Sequence, residues 1–183
     1  VPAVPRHRGS EAGTGRIMDR VMESNLIEVQ MGKMEIAQAP DRLITRGLGS
    51  CLGLTIWDPV KKTGAMVHPM LPDMERSKIK SNPSRFVNSG ITLALEELEK
   101  KGCFRSRYEI KMFGGAHMFS FINADSALNV GQKNIDMAHD ILKGLNLKIM
   151  VEEVGGTFGR TIELDVETGK VLVKTVSWGE KVV

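Results

Sequence analysis

The sequence contains no apolar run that approaches the roughly 18 residues of a membrane-spanning helix. Its N-terminus lacks the apolar core of a secretory signal. Only two of the 183 residues are cysteines, and Cys51 and Cys103 do not form a Cys-x-x-Cys pair, so no disulfide scaffold is predicted. These absences favour a protein of the reducing cytoplasm, where a free thiol persists, without membrane insertion.

A strongly basic folded region is also missing. The chain carries 25 basic and 22 acidic side chains, and residues 1–20 hold four of the arginines and two of the acids. The remainder, with 21 basic and 20 acidic residues, is nearly neutral. Binding to nucleic acid requires a basic face on the folded domain and is therefore not predicted.

The chain divides into a short leader and one domain. Residues 1–17 have no apolar periodicity and are rich in glycine and proline, so we interpret them as a disordered leader or a cloning remnant, with Met18 as the native start. Residues 18–183 form the predicted domain, and a hydrophobic share of 42% is enough for one core.

Strand patterns outnumber helix patterns in this domain. Apolar patterns predict strands near 27–31, 34–36, 52–57, 65–68, 108–113, 147–154, 161–166 and 170–176. Leu43 and Ile44 form only a short apolar segment before the glycine-rich turn. One helix is predicted between an Asn82 cap and Gly102, and a second over about 131–143. Because helices and strands do not alternate strictly, the pattern favours a layered α+β domain over a doubly wound sheet.

The glycine-rich segment 47–53 carries the main chemical candidate, Cys51. Its glycine spacing does not fit a dinucleotide fingerprint, and no Gly-Lys-Ser/Thr closes a phosphate loop. A strand pattern follows the cysteine where a nucleophile elbow needs a helix. Small neighbours would still let a substrate carbonyl approach the thiol, and the backbone amides of the Gly49–Cys51 turn, with Gly49 and Ser50 foremost, are candidates to hold an oxyanion. A buried structural cysteine is the alternative.

A thiol nucleophile needs a base, and the histidines are His7, His68, His117 and His139. His68 ends a strand that a hairpin pairs with the strand after Cys51, so the two residues should be neighbours in space. His7 lies in the leader and His139 fits a solvated helix position. His117 follows Gly114-Gly115-Ala116, where it is either a site residue or a loop histidine without a role. No metal-ligand spacing is present, and neither a metal nor a cofactor is predicted.

The motifs along residues 26–176 resemble, in order, those of the CheD family of chemoreceptor glutamine deamidases. The matching blocks are Thr45-x-Gly47-Leu48-Gly49-Ser50-Cys51, Asp58-Pro59, Gly64-Ala65-Met66-x-His68-x-Met70-Leu71-Pro72, Lys111-Met112-Phe113-Gly114-Gly115-Ala116-x-Met118-Phe119, Asn129-Val130-Gly131-x-x-Asn134, Gly155-Gly156-x-x-Gly159-Arg160 and Thr168-Gly169-Lys170-Val171. Each block is weak by itself, whereas the ordered set is specific.

The resemblance implies a three-layer β/β/α sandwich similar to the catalytic domain of cytotoxic necrotizing factor toxins. By position it assigns the nucleophile to Cys51, the base to His68 and the third member to Thr45, which would otherwise be interpreted as a β-branched strand residue. It implies a hydrolase, a protein-glutamine glutaminase, that converts glutamines of chemoreceptor cytoplasmic helices to glutamate through a cysteine thioester. In some bacteria the family also binds the CheC phosphatase.

The chain departs from the family pattern beside the histidine. Val67 and Pro69 flank His68 where many members have Asn and Phe, and Lys133 stands where Arg is common. None of these changes removes a catalytic group, but Pro69 alters the wall of the site. Two alternatives stay open: a regulatory binding module that docks on CheC or a receptor, and another cysteine hydrolase such as a receptor methylesterase or a peptidase.

Overall fold

Residues 23–118 and 129–183 are described by a computed structural model, in which they form ten strands and two α-helices. The strands are β1 Leu26–Glu28, β2 Met34–Gln38, β3 Arg42–Leu48, β4 Leu52–Asp58, β5 Thr63–Val67, β6 Glu109–Gly114, β7 Ile149–Val154, β8 Arg160–Asp165, β9 Val171–Thr175 and β10 Gly179–Val182. The helices are α1 Val87–Lys100 and α2 Val130–Gly144. The predicted leader, 1–17, lies outside these residues. Within them, neither helix has the length and apolar character needed to cross a membrane.

The strands form two five-stranded sheets. The first sheet has the order β1-β3-β8-β9-β10, and the second has the order β2-β5-β4-β6-β7. Most neighbours are antiparallel, while β1 with β3 and β6 with β7 are parallel. The predicted α+β class is confirmed.

Two apolar clusters hold these elements together. One joins side chains of the second sheet, such as Leu54, to residues of α1 and α2, such as Ile91 and Ala138. The other joins Ile162 of the first sheet to Phe113 of the second. The second sheet therefore lies between the helices and the first sheet, which is consistent with the predicted sandwich. The likeness to the toxin domain stays a prediction.

The central strand β4 is buried along its whole length because both of its faces are covered. Leu52, Leu54 and Ile56 join the cluster on the helix side, whereas Trp57 joins the cluster between the sheets. Burial of apolar surface is the main favourable term in folding.

The start of the first helix differs from the prediction. A 3-10 turn, Pro83–Arg85, comes first, and Phe86 is extended with φ −114° and ψ 147° before α1 begins at Val87. Asn82 makes no capping bond, so its prediction as the helix cap was wrong. Phe86 is 1% exposed and forms a bridge with Leu71, and this tertiary contact interrupts the helical path that the local pattern favoured. The second helix, predicted over 131–143, is confirmed.

Strand β3 extends well beyond the short apolar segment that the sequence indicated. It pairs with β8 from Arg42 opposite Asp165 to Leu48 opposite Arg160. This pairing joins residues more than a hundred positions apart, so no local pattern predicts it. The extension places Thr45 inside the sandwich.

Candidate active site

His68 follows β5, and its imidazole reaches Thr45 on β3 of the other sheet. Thr45 Oγ1 lies 2.7 Å from His68 Nδ1 and 2.6 Å from the carbonyl oxygen of Val29. The exposed fractions of Thr45, His68 and Val29 are 0%, 1% and 1%. A buried hydrogen-bonded group therefore connects the two sheets at this point.

These two contacts determine the tautomer of His68. A carbonyl oxygen only accepts, so the single hydrogen of the Thr45 hydroxyl is directed at Val29. Thr45 Oγ1 can then only accept from His68, which places the imidazole proton on Nδ1. The bare Nε2 is buried and has no hydrogen-bond partner among the residues that the structure describes. This nitrogen is therefore the one able to take a proton.

Burial also sets the charge of both reacting groups. It lowers the pKa of His68 to about 4, against the opposing hydrogen bond with the Val29 backbone. Burial raises the pKa of the Cys51 thiol, while the cysteine's own backbone amide acts in the opposite direction. Near pH 7 the pair is a neutral thiol and a neutral imidazole, so a thiolate forms only when a proton is transferred.

Cys51 lies immediately before the first residue of β4, beside the last residues of the antiparallel strand β5. In the antiparallel pairing of these strands Leu54 is opposite Val67. Beyond it, the backbone N–H of Leu52 donates to Pro69 O at 3.2 Å. The predicted hairpin is confirmed, and it brings the two segments that contain Cys51 and His68 together. Cys51 is half-buried.

The carbonyl groups of the Gly49–Cys51 turn, called the cysteine turn below, point into the protein. Gly49 O accepts from the Ala116 amide and Cys51 O accepts from the Gly115 amide, both at 2.8 Å. Gly114 has a φ of 95°, and a Cβ there would lie 2.3 Å from Cys51 O. Only glycine fits at position 114, because the backbone approaches the cysteine turn so closely.

The amides of the same turn differ in their availability. Gly49 N–H donates to Gly47 O at 2.9 Å, so it already has an acceptor and is a poor candidate to hold an oxyanion. For the amides of Ser50 and Cys51, no backbone acceptor occurs within 23–118 and 129–183. Ser50 thus stays a candidate donor, and Cys51 joins it.

Asn134 belongs to the site, although the sequence indicated it only as part of a family motif. Its side chain is fully buried, and Nδ2 donates to Ser50 O at 3.0 Å and to Met70 O at 3.1 Å. One signal could have found it: an asparagine four residues before Ala138 on the apolar face of α2 must find hydrogen-bond partners inside the protein.

Two further histidines have other partners. The backbone of His117 donates to Gly156 O, and the exposed ring of His139 lies 3.0 Å from Glu152. His7 is outside the described residues. In the part of the chain that the structure covers, no group of three or more His, Cys, Asp or Glu side chains is placed to hold a metal ion. The prediction of no metal or cofactor stays a prediction.

A cysteine and a histidine on paired segments, with the imidazole held by a third side chain, resemble the arrangement found in cysteine-dependent hydrolases. Residues 70–175 match the family model described as CheD chemotactic sensory transduction. The chain belongs to the CheD family. The matched segment begins after His68, so Thr45, Cys51 and His68 precede it.

Three relatives agree with this assignment. A protein of Syntrophomonas wolfei subsp. wolfei is 41% identical over 160 residues, which cover 87% of this chain and 99% of the relative. One from Desulforamulus reducens is 40% identical over 157 residues, 86% of this chain and 95% of the relative. Both carry the name "Probable chemoreceptor glutamine deamidase CheD". A protein of Methanosarcina acetivorans, named "Probable chemoreceptor glutamine deamidase CheD 1", is 39% identical over 161 residues, 88% of this chain and 99% of the relative.

Proposed function

We propose that this protein hydrolyses the side-chain amides of specific chemoreceptor glutamines to glutamate and releases ammonia. The names of its relatives give that activity. The observation that carries the proposal is the Thr45–His68 hydrogen bond, which leaves a bare Nε2 on the imidazole next to the Cys51 segment. The substrate segments are the cytoplasmic helices of the receptors, and the reaction takes place in the cytoplasm, where the thiol stays reduced.

The reaction begins with two neutral groups. Cys51 Sγ attacks the carboxamide carbon while His68 Nε2 takes the thiol proton. The carbonyl oxygen becomes an oxyanion, for which the amides of Ser50 and Cys51 are the candidate donors. His68 then gives its proton to the nitrogen as the C–N bond breaks, and ammonia leaves a thioester on Cys51.

Water completes the cycle. His68 Nε2 takes a proton from the water that attacks the thioester carbon, and the C–S bond breaks to release the glutamate side chain. The proton returns to Cys51 sulfur. In both half-reactions the imidazole is charged for a short time, and Thr45 Oγ1, the acceptor at Nδ1, reduces the cost of that charge inside the protein.

Mass spectrometry of a receptor cytoplasmic fragment tests the proposal directly. After incubation with the protein, specific glutamines are expected to gain the mass of an amide-to-acid conversion. Cys51→Ala should abolish this gain, and Cys103→Ala is the matched control because that thiol is buried elsewhere in the protein, with an exposed fraction of 3%. Activity of Cys51→Ala equal to that of the parent would contradict the mechanism.

The same preparation distinguishes the alternatives. Hydrolysis of receptor methyl esters or of peptide bonds, with every glutamine unchanged, would identify another cysteine hydrolase. Capture of CheC or of the receptor fragment by both the parent and Cys51→Ala, without deamidation by either, would identify a binding module. CheC binding together with Cys51-dependent deamidation would add a partner to the proposed enzyme.

A further inference from the structure

We propose that Asn134 is a positioning residue, which holds the Ser50–Cys51 peptide so that the Cys51 amide is directed at the oxyanion. This inference rests on the proposed function, because it assigns a role to Asn134 in that reaction. It adds a residue of α2 to a reaction that so far involves Thr45, Cys51, His68 and the backbone amides beside the thiol.

The geometry of one peptide group carries the argument. A trans peptide is planar, and its carbonyl oxygen and N–H point in opposite directions. The Ser50 carbonyl is held 3.0 Å from Asn134 Nδ2, on the side of α2. The N–H of Cys51, in the same peptide plane, must therefore point away from α2, where no backbone acceptor among the described residues meets it. A flip of this peptide would reverse the amide and remove the donor.

The same side chain also holds the loop after the histidine. Asn134 Nδ2 lies 3.1 Å from Met70 O, two residues beyond His68. Both neighbours are carbonyl oxygens, which can only accept. The nitrogen of the Asn134 amide, and not its oxygen, must therefore face them. One NH₂ group uses its two hydrogens on the two segments that contain the thiol and the base, and in this way it fixes their relative position.

The helix that carries Asn134 is itself held close to this region. A Cβ added to Gly131 would lie 2.6 Å from Gly115 O and 2.8 Å from Ala116 O. The first turn of α2 is therefore in direct contact with the segment whose amides bind the cysteine turn. Helix α2, from which Asn134 extends, therefore cannot shift without disturbing the Gly49–Cys51 turn.

Two substitutions remove the donors of Asn134. Asn134→Leu keeps a similar side-chain volume without hydrogen bonding, and Asn134→Asp keeps the shape but cannot donate when ionised. Asn88→Leu is the matched control. Asn88 also connects a loop to a helix, through Asp73 and the Met74 amide, but it bonds neither the Cys51 segment nor the loop after His68.

The measurements are kcat and KM on the receptor fragment, thermal unfolding, and affinity for a receptor peptide with an aldehyde in place of the target carboxamide. The aldehyde adds to the thiol and places an oxygen where the oxyanion forms. For Asn134→Leu, kcat should fall about a hundredfold because an oxyanion donor is lost. Its KM should stay within about threefold, since substrate binding is not affected. Aldehyde affinity should weaken together with kcat, whereas Asn88→Leu should lower the unfolding temperature and leave both quantities near the parent values.

Other results would overturn the inference. A fall in kcat no larger than that of Asn88→Leu, or a normal aldehyde affinity in folded Asn134→Leu, would show that Asn134 does not position the amide. Asn134→Asp supplies the same comparison where the leucine variant does not fold. If the parent protein binds the aldehyde without deamidating the fragment, the proposed function fails while aldehyde binding still decides the role of Asn134. Absence of both activities in the parent overturns both proposals.

Discussion

The two ends of β4 treat buried polar groups in opposite ways. At the carboxyl end, the Asp58 carboxylate is fully buried and accepts hydrogen bonds from Arg107 and from three backbone amides. At the amino end, where Cys51 lies, the Nε2 atom of His68 is buried without a partner among the described residues. Native proteins leave few buried polar groups unpaired, and exceptions need an explanation. The Asp58 carboxylate is fully paired, and we propose that the unpaired Nε2 of His68 serves the reaction.

The pKa values at the two ends follow the same division. At Asp58, burial by itself acts to raise the pKa, but the hydrogen bonds from Arg107 and the backbone outweigh it and lower the pKa to about 2. At His68, burial lowers the pKa to about 4. The first environment therefore stabilises a charge, whereas the second excludes one until the reaction creates it.

Removal of the His68 imidazole, which carries the unpaired Nε2, should have the largest effect on deamidation. His68→Ala is expected to lower kcat/KM for deamidation by about a thousandfold or more, since the thiol loses its only proposed base. Steady-state kinetics on the receptor fragment measures this, and circular dichroism checks that the variant is folded. A folded variant that keeps a tenth of the parent activity would remove His68 from the mechanism.

A substitution at Asp58, at the carboxyl end of β4, should change the stability of the protein and not its catalytic rate. Asp58→Asn leaves the Arg107 guanidinium without a carboxylate and is expected to lower the unfolding free energy by about 1–3 kcal/mol at pH 7. Because the pKa of Asp58 is lower in the folded than in the unfolded protein, its contribution is complete above about pH 4 and is lost as the pH falls towards about 2. Urea unfolding at a series of pH values should therefore show the parent and the variant converging in acid.

The kinetics of Asp58→Asn complete that test. Its kcat near pH 7 should match the parent value, because Asp58 and Cys51 lie at opposite ends of the strand. A stability difference that does not change with pH would mean that the carboxylate charge has no role. A large loss of kcat in the folded variant would mean that the two ends are not independent.

A smaller effect on kcat is expected when the hydrogen bond from His68 to Thr45 is removed. Thr45→Val keeps the shape of the side chain and removes the hydroxyl that accepts from His68. We expect kcat to fall about tenfold, less than on loss of the base, because the imidazole itself is still present to take the thiol proton. Thr45→Ser restores the hydroxyl and should recover most of the activity. Equal losses in the valine and serine variants would show that the hydroxyl does not orient the imidazole.

The smallest effect should come from the second cysteine. Cys103 belongs to the cluster between the helices and the second sheet, and Cys103→Ala is expected to cost about 1 kcal/mol of stability with normal activity. Alkylation of the native parent with iodoacetamide, followed by peptide mass analysis, should modify Cys51 and spare Cys103. Equal modification of both thiols would show that their environments do not differ as described.

Local patterns predicted one part of this site and could not predict the rest. The hairpin that joins Cys51 to His68 spans few residues, and its turn chemistry and apolar alternation are visible in the sequence. The hydrogen bond from Asn134 to Ser50 joins residues 84 positions apart, and Asp58 finds Arg107 at a separation of 49. Such pairs depend on how α2 and the loops pack. Asn82 shows the reverse error, since its capping preference was real but the burial of Phe86 outweighed it.

The hydrogen bond between Thr45 and His68 joins one sheet to the other, and this has a consequence for nascent or damaged molecules. A chain that has formed the β4–β5 hairpin but has not docked β3 holds the thiol and the imidazole without the acceptor that fixes the proton on Nδ1. Such a chain contains every reacting atom and still lacks an oriented base. In the proposed mechanism, deamidation therefore requires the two sheets to be assembled and not the hairpin alone.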